Sequence, residues 1–130
     1  PFRIDRTLDP HERFAWSGEI DWVLISGTIV KEAVFHIRMA AVTILTDLIE
    51  NFELDKVRRP LLRRVIALGR ADGHTPLDLR MTFWPKRRVV AKAVAKVLGW
   101  QTEGLIIAHG RVFEARGQAV LRRELAWAAS

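Results

Sequence analysis

The segment Val42-Thr43-Ile44-Leu45-Thr46-Asp47 decides the fold of this chain. The five residues before the aspartate are all apolar or β-branched, which is typical of a β-strand, and the lack of polar alternation predicts a strand covered on both faces. Two similar stretches precede it, at Ile20–Ser26 and Ala33–Arg38, and each is bounded by glycine, polar or turn-forming residues. We therefore predict three strands in the first part of the chain.

After this strand the apolar residues recur at the three- and four-residue spacing of α-helices. Leu61–Gly69 has apolar residues at i, i+4 and i+7, which predicts a helix. Pro85–Gly99 predicts a second helix, in which the stripe Val90, Val94, Val97 and Leu98 lies opposite an exposed row formed by Arg88, Lys92 and Lys96. Between these helices we predict a loop that contains Asp72-Gly73, followed by a short extended piece at Met81–Trp84.

A buried strand at Gly104–Ala108 and a helix over Gln118–Ala128 complete the pattern. The order β-β-β-α-α-β-α predicts an α/β fold, a layered sandwich of a mixed sheet with covering helices. We expect a single domain over residues 1–130, with 1–19 as an ordered lead-in segment and 20–130 as the sandwich.

Composition limits the function classes further. The chain has 130 residues, 49% of them hydrophobic and 28% charged, which suits one globular domain. No apolar run approaches the roughly 18 residues of a membrane span, and the first residues lack the layout of a signal peptide, so we expect a cytoplasmic protein. The absence of cysteine excludes thiolate catalysis, and any metal must use His, Asp or Glu.

The net charge of +6 is unevenly distributed. Residues 1–55 carry five basic and ten acidic residues, whereas residues 56–130 carry sixteen basic and five acidic ones. The basic part could attract nucleic acid, anionic lipid or an acidic partner. The uneven charge distribution would also be explained by lysine and arginine residues that only keep exposed helix faces solvated.

Asp47 and His109 are the candidate site residues, because each directly follows a predicted buried strand. Strand ends in α/β sheets are where sites form, since the strand fixes a side chain that the loop leaves accessible. The structural alternatives are a turn or cap carboxylate for Asp47 and a hydrogen-bonded polar residue for His109. His36, inside a predicted strand, is expected to face solvent or a polar neighbour. None of the histidines has zinc-motif spacing, and no phosphate-binding loop or serine-nucleophile motif occurs.

Four segments, taken in order, resemble an uncharacterised family of metallo-β-lactamase-like proteins, a domain-of-unknown-function family. They are Trp16–Asp21, Leu45–Phe52, Thr75–Arg80 and Ile106–Gly110. The resemblance spans nearly the whole chain but only the C-terminal half of the family's domain. It implies half of an αββα sandwich with metal ions at the sheet edge.

By this resemblance Asp47 matches the bridging aspartate and His109 the late histidine of the metal centre. The segment Ser26–Val30, where a central histidine is expected, contains none, and the half that carries the H-x-H-x-D-H motif does not correspond to any part of this chain. A catalytic zinc takes three protein ligands plus water. We therefore expect no metal on the isolated chain, with zinc, iron or manganese bound only if another chain completes the site.

The leading interpretation is a half domain without a complete metal centre that acts as a binding or structural subunit of an oligomer or complex. The first alternative is a metal-dependent hydrolase completed by another polypeptide. The second alternative is a basic nucleic-acid-binding module. A half sandwich leaves an apolar sheet face uncovered, so we expect a homo-oligomer or a larger protein complex, with the five tryptophans either in the core or as interface anchors.

Overall fold

A five-stranded mixed sheet forms the centre of the fold. The computed structural model describes residue 4 and residues 6–51, 72–75, 77–108 and 112–128. The strands are β1 (Ile20–Ser26), β2 (Lys31–Ile37), β3 (Val42–Leu45), β4 (Glu50–Asn51), β5 (Asp72–His74), β6 (Gly104–Ile107) and β7 (Val112–Phe113). The large sheet has the order β1-β2-β3-β6-β7, and β4 and β5 form a separate ladder. Only the β3–β6 pair is parallel in the large sheet.

The helices cover one face of this sheet. They are α1 (Leu77–Phe83), α2 (Arg87–Leu98) and α3 (Gly117–Leu125), and short 3₁₀ turns follow α1 and α3 at Trp84–Lys86 and Ala126–Ala128. The valine stripe of α2 packs against β1, while α3 packs against α2 and β6. We call this side of the sheet the helix-covered face.

The core lies between the sheet and the helices. Alternate residues of the strands point into it, and the fully buried members from both layers include Ile25, Val34, Leu45, Leu105, Val94, Val97, Leu121 and Leu125. Burying an aliphatic side chain of this size contributes about 1.5–3 kcal/mol. The core therefore holds the sheet and helices together as two layers.

The opposite side of the sheet, which we call the open face, has no helix over it among the described residues. Its strand residues are almost all apolar: Ile20, Trp22, Leu24, Ala33, Phe35, Ile37, Val42, Ile44, Ile106 and Val112. Part of it is covered by the lead-in segment, where Phe14 stacks on Trp16 with the ring centroids 4.7 Å apart. The Trp16 ring in turn meets the edge of Phe35.

Several predictions from the sequence are confirmed. The fold is α/β with a mixed sheet and covering helices, and the three early strands occur within two residues of their predicted bounds. The stripe Val90, Val94 and Val97 is buried, and the row of Arg88, Lys92 and Lys96 is exposed. The predicted helix Leu61–Gly69 lies outside the described residues.

Two structural predictions are wrong. The extended piece at Met81–Trp84 is the end of α1 and the following 3₁₀ turn, because helical geometry places the Phe83 ring fully inside the core. The predicted loop at Asp72-Gly73 belongs to β5, which pairs with β4. Among the described residues, helices cover β3 on one face only: Thr43 and Leu45 are buried, whereas their neighbours on the open face remain partly exposed.

Candidate functional site

The predicted site lies at the edge of the sheet where β3 ends. Thr46 and Asp47 follow the last residue of the strand, and the Asp47 side chain is exposed. Glu32, the second residue of the neighbouring strand β2, lies here, and its side chain is almost completely buried, at 5% exposure. The Thr46 hydroxyl donates to the Glu32 carboxylate, and the Asp47 backbone N–H donates to Glu32 Oε2 at 3.2 Å. Glu32 is therefore a positioning residue for the turn that presents Asp47.

The strand that leads to the second candidate lies directly beside β3. β6 runs parallel to β3 with Leu45 opposite Ile107, so the two strands end at the same edge of the sheet. The Ala108 backbone N–H donates to the Leu45 carbonyl at 3.1 Å, which fixes the first residue after β6. His109 follows Ala108 but lies outside the described residues, so the convergence of its side chain with Asp47 stays a prediction.

The described part of this edge does not fit a complete metal centre. Two carboxylates are present, and the Glu32 carboxylate already accepts hydrogen bonds from the turn. Within the described ranges no group of three or more His, Asp or Glu side chains could hold a metal ion. Since a zinc site needs at least three protein ligands, any complete centre would require residues beyond those described.

Glu32 was missed by the sequence prediction. A single acidic residue at the start of a strand ordinarily marks the solvated end of that strand, and nothing in its local sequence distinguishes it. The signal becomes visible only from the register, because β2 and β3 pair so that the start of one lies beside the end of the other.

A second polar group, centred on His36, lies at the other end of the helix-covered face. His36 is 6% exposed, and its Nδ1 lies 3.0 Å from Thr43 Oγ1. Thr43 Oγ1 in turn lies 2.7 Å from Thr102 Oγ1, and the Trp100 ring stacks on the imidazole at 5.2 Å between centroids. The prediction that His36 faces a polar neighbour is confirmed.

Electrostatics keep the His36 ring neutral near physiological pH. Burial lowers the pKa of His36, since desolvation disfavours the imidazolium, and the nearby Asp21 charge only partly opposes this effect. Asp21 itself is bound by Arg38, whose Nε and Nη2 donate to the two carboxylate oxygens at 2.7 and 2.5 Å. These hydrogen bonds lower the pKa of Asp21. The His36 group connects β2 and β3 to the segment after α2.

The tryptophans divide between the core and the surface. Trp16, Trp22, Trp100 and Trp127 are partly buried, whereas Trp84 is 67% exposed. The Trp127 indole N–H donates to Thr75 Oγ1 at 3.0 Å, so its polar end is satisfied. Among the five, only Trp84 therefore presents most of its ring to solvent.

Comparison with protein-family models, curated proteins and solved structures finds no match for this chain. The resemblance to metallo-β-lactamase-like proteins consequently remains a prediction. None of the described helices is long and apolar enough to cross a bilayer.

Proposed function

We propose that this chain is a binding subunit that forms one half of an α/β/β/α sandwich. In this proposal its open face packs against the open face of a second copy. The observation that carries the proposal is the contrast between the two sides of the sheet. One side is covered by helices, whereas the other is apolar and carries no helix among the described residues.

The composition of the open face supports burial. Its strand residues are apolar except at one end, where Ser26 and Lys31 pair across β1 and β2. The lead-in aromatics cover the β1–β2 part, which leaves a groove of about 280 Å³ that is lined by residues of β3, β6 and β7 and by Glu103 and Glu114. Val112, at 59% exposure, lies at its outer side. Contiguous exposed apolar surface of this kind marks an interaction site.

Charge favours a second copy over an acidic or basic partner. A two-fold interface brings the same patch together from both copies, so a charged patch would repel itself. The strand residues at the centre of the open face carry no charge, so this repulsion is confined to its margins, at Lys31, Glu103 and Glu114. The helix layer, by contrast, carries an excess of Lys and Arg. Face-to-face packing of the sheets places these basic layers on opposite outer sides, where their mutual repulsion is smallest.

The dimensions of the face set the expected affinity. The uncovered strands β3, β6 and β7 span about 14 Å at about 4.8 Å per strand, and four residues of strand extend about 13 Å. This area is below that of a specific interface, so the lead-in aromatics over β1 and β2 must form part of the contact. We therefore expect dimerisation in the micromolar range, with the melting temperature rising with protein concentration.

Sedimentation velocity from about 1 to 100 μM tests the proposal. We expect wild type to shift from monomer to dimer and Ile44→Lys, in the centre of the open face, to remain monomeric. Val89→Lys is the matched control, since Val89 is exposed on α2 and its substitution should leave dimerisation unchanged. Circular dichroism of each variant verifies that it is folded. A folded wild-type chain that stays monomeric at 100 μM, or an Ile44→Lys variant that dimerises like wild type, contradicts the proposal.

The hydrolase alternative has one observation in its favour, the adjacency of the two strand ends that precede Asp47 and His109. Because a catalytic zinc needs at least three protein ligands, we expect the purified chain to bind no stoichiometric zinc, iron or manganese. Calorimetric titration with each metal measures this directly. Stoichiometric binding that Asp47→Asn abolishes would favour the hydrolase instead.

A further inference from the structure

A cleft between two tryptophan rings lies on the helix layer, remote from the open face. It is lined by Trp84, Arg87, Val90, Trp127 and Ala128, and its volume is about 140 Å³. An apolar cavity of about 150 Å³ accommodates a benzene molecule. The cleft therefore has the size of one six-membered aromatic ring, and its lining is mostly apolar.

Each tryptophan of the cleft has an arginine against its ring, and of the two arginines only Arg87 lines the cleft. The Arg87 guanidinium carbon lies 5.6 Å from the centroid of the Trp84 ring. The Arg80 guanidinium carbon lies 5.5 Å from that of Trp127. The Trp127 ring is already stacked on Phe83, at 6.0 Å between centroids, and Arg80 is held by the Thr75 carbonyl, to which its Nε donates. A flat ring entering the cleft would therefore stack on Trp84, while its anionic substituent meets the Arg87 guanidinium. This combination suits an aromatic base that is linked to phosphate.

A row of cations leads away from the cleft along α2. Arg88, Lys92 and Lys96 are exposed at intervals of four residues, which in an α-helix corresponds to about 6 Å per step. Lys96, at the far end of the row, lies near the Asp21 carboxylate, so Arg88 and Lys92 are its principal phosphate contacts. Across residues 80–98 and 116–128, nine basic residues accompany a single acidic one, Glu124, which is buried and paired with Arg123. The row thus forms a positive track that begins at the same end of α2 as the cleft.

We propose that this surface binds single-stranded nucleic acid, with one pyrimidine base in the cleft and the backbone phosphates along the row on α2. An unpaired base can enter the cleft, whereas a base stacked in a duplex cannot. The apolar stripe of α2 is buried in the core and cannot insert into a bilayer. Met81, Trp84 and Val89 are exposed beside the row, so vesicle binding is the competing outcome of the test. The surface is independent of the proposed dimer, because it lies on the other side of the sheet.

Fluorescence anisotropy with a labelled ten-residue oligothymidylate tests this inference on the full chain. We expect binding at about 50 mM salt that weakens as salt rises, and weaker binding of oligodeoxyadenylate because a purine exceeds the cleft. Thymidine monophosphate should bind far more weakly than the oligonucleotide, since it lacks the phosphates that the row would hold. Vesicles of phosphatidylcholine and phosphatidylserine should bind less tightly than the oligonucleotide.

Substitutions distinguish the contribution of base stacking on Trp84 from that of phosphate binding by the cationic row. Trp84→Ala should weaken oligothymidylate binding about 5- to 100-fold, and Trp84→Phe should restore most of it. Arg88→Gln should lower the slope of log K against log salt by about 0.7. The matched control is Arg13→Gln, an exposed arginine in the lead-in segment, which should leave both affinity and slope unchanged.

The inference is overturned if the oligonucleotide does not bind at about 50 mM salt, if duplex or vesicles bind more tightly than the single strand, or if thymidine monophosphate binds as tightly as the oligonucleotide. Equal affinity of Trp84→Ala and wild type also overturns it. Sedimentation of the same samples reports dimerisation separately, so either proposal can fail alone.

Discussion

The two faces of the sheet carry the same kinds of apolar residue but differ in what covers them. On β3, Leu45 points to the helices and is fully buried, while its neighbour Ile44 points to the open face and stays partly exposed. Both residues fit a strand that is covered on both sides. An apolar strand thus predicts that both of its faces are buried by other elements. It does not predict whether those elements belong to the same chain.

The largest expected difference between the faces is in the stability lost when Leu45 or Ile44 is replaced by alanine. Leu45→Ala should lower the free energy of unfolding by about 2–5 kcal/mol, because it leaves a cavity in a filled core. Ile44→Ala in dilute, monomeric protein should cost clearly less, since the side chain is only partly removed from water. Urea unfolding at about 1 μM measures both, and equal losses would show that the open face is covered as completely as the other.

Packing around Gly27, just after β1, tests how tightly the helix-covered side is filled. A Cβ at Gly27 would lie 2.7 Å from Phe83 Cδ1 and 3.1 Å from the Val30 carbonyl oxygen. We expect Gly27→Ala to destabilise the protein by about 1–3 kcal/mol. Gly18→Ala is the control, because nothing lies within 4 Å of a Cβ there. If thermal unfolding shows the same decrease in melting temperature for both variants, this account is contradicted.

The buried His36 gives the helix-covered face a pH dependence. Its pKa in the folded state lies below the ordinary value of about 6.5. The unfolded chain therefore binds more protons in the interval between these two values, so stability should fall as the pH drops below about 6.5. Comparing urea midpoints at pH 7.5 and 5.5, we expect a smaller fall for His36→Gln than for wild type. An identical fall in both would show that His36 is not responsible.

The smallest expected effect is at the ion pair beside this histidine. Arg38 and Asp21 form two hydrogen bonds, but the side chains are 50% and 29% exposed, so solvent screens their attraction. Arg38→Gln should lower stability less than Leu45→Ala or Gly27→Ala, and 1 M salt should remove most of the difference from wild type. Chemical unfolding in low and high sodium chloride measures this difference, and a loss of stability that does not depend on salt would contradict the assignment.

Sequence reasoning predicted the elements whose pattern is long and regular. β1 has seven residues rich in β-branched and aromatic types, and the four-residue spacing of valines in α2 leaves one buried face. β4 and β5 were missed because ladders of two or three residues have no periodicity to detect. Met81–Trp84 was assigned wrongly because its threonine and aromatic residues favour strands locally, whereas burial of Phe83 in the core selects the helix.

The residues of the candidate site were likewise only partly predictable from the sequence. Asp47 was found because its position at a strand end can be read from the chain alone. Glu32 and the His36 group could not be found, because their partners lie 7 to 59 residues away in sequence and meet only through strand register and tertiary packing.

The parallel pairing of β3 with β6 has a kinetic consequence. β1, β2 and β3 are connected by short turns and can form early, whereas Val42 and Gly104 are partners separated by 62 positions in the chain. Closing so long a loop costs conformational entropy before the contact repays it, and parallel pairing of distant strands folds slowly. The pairing of β6 with β3, and with it the position of Ala108 beside Leu45, is therefore among the last parts of the molecule to be assembled. The turn that presents Asp47 can form earlier with the meander, because Glu32 of β2 holds it.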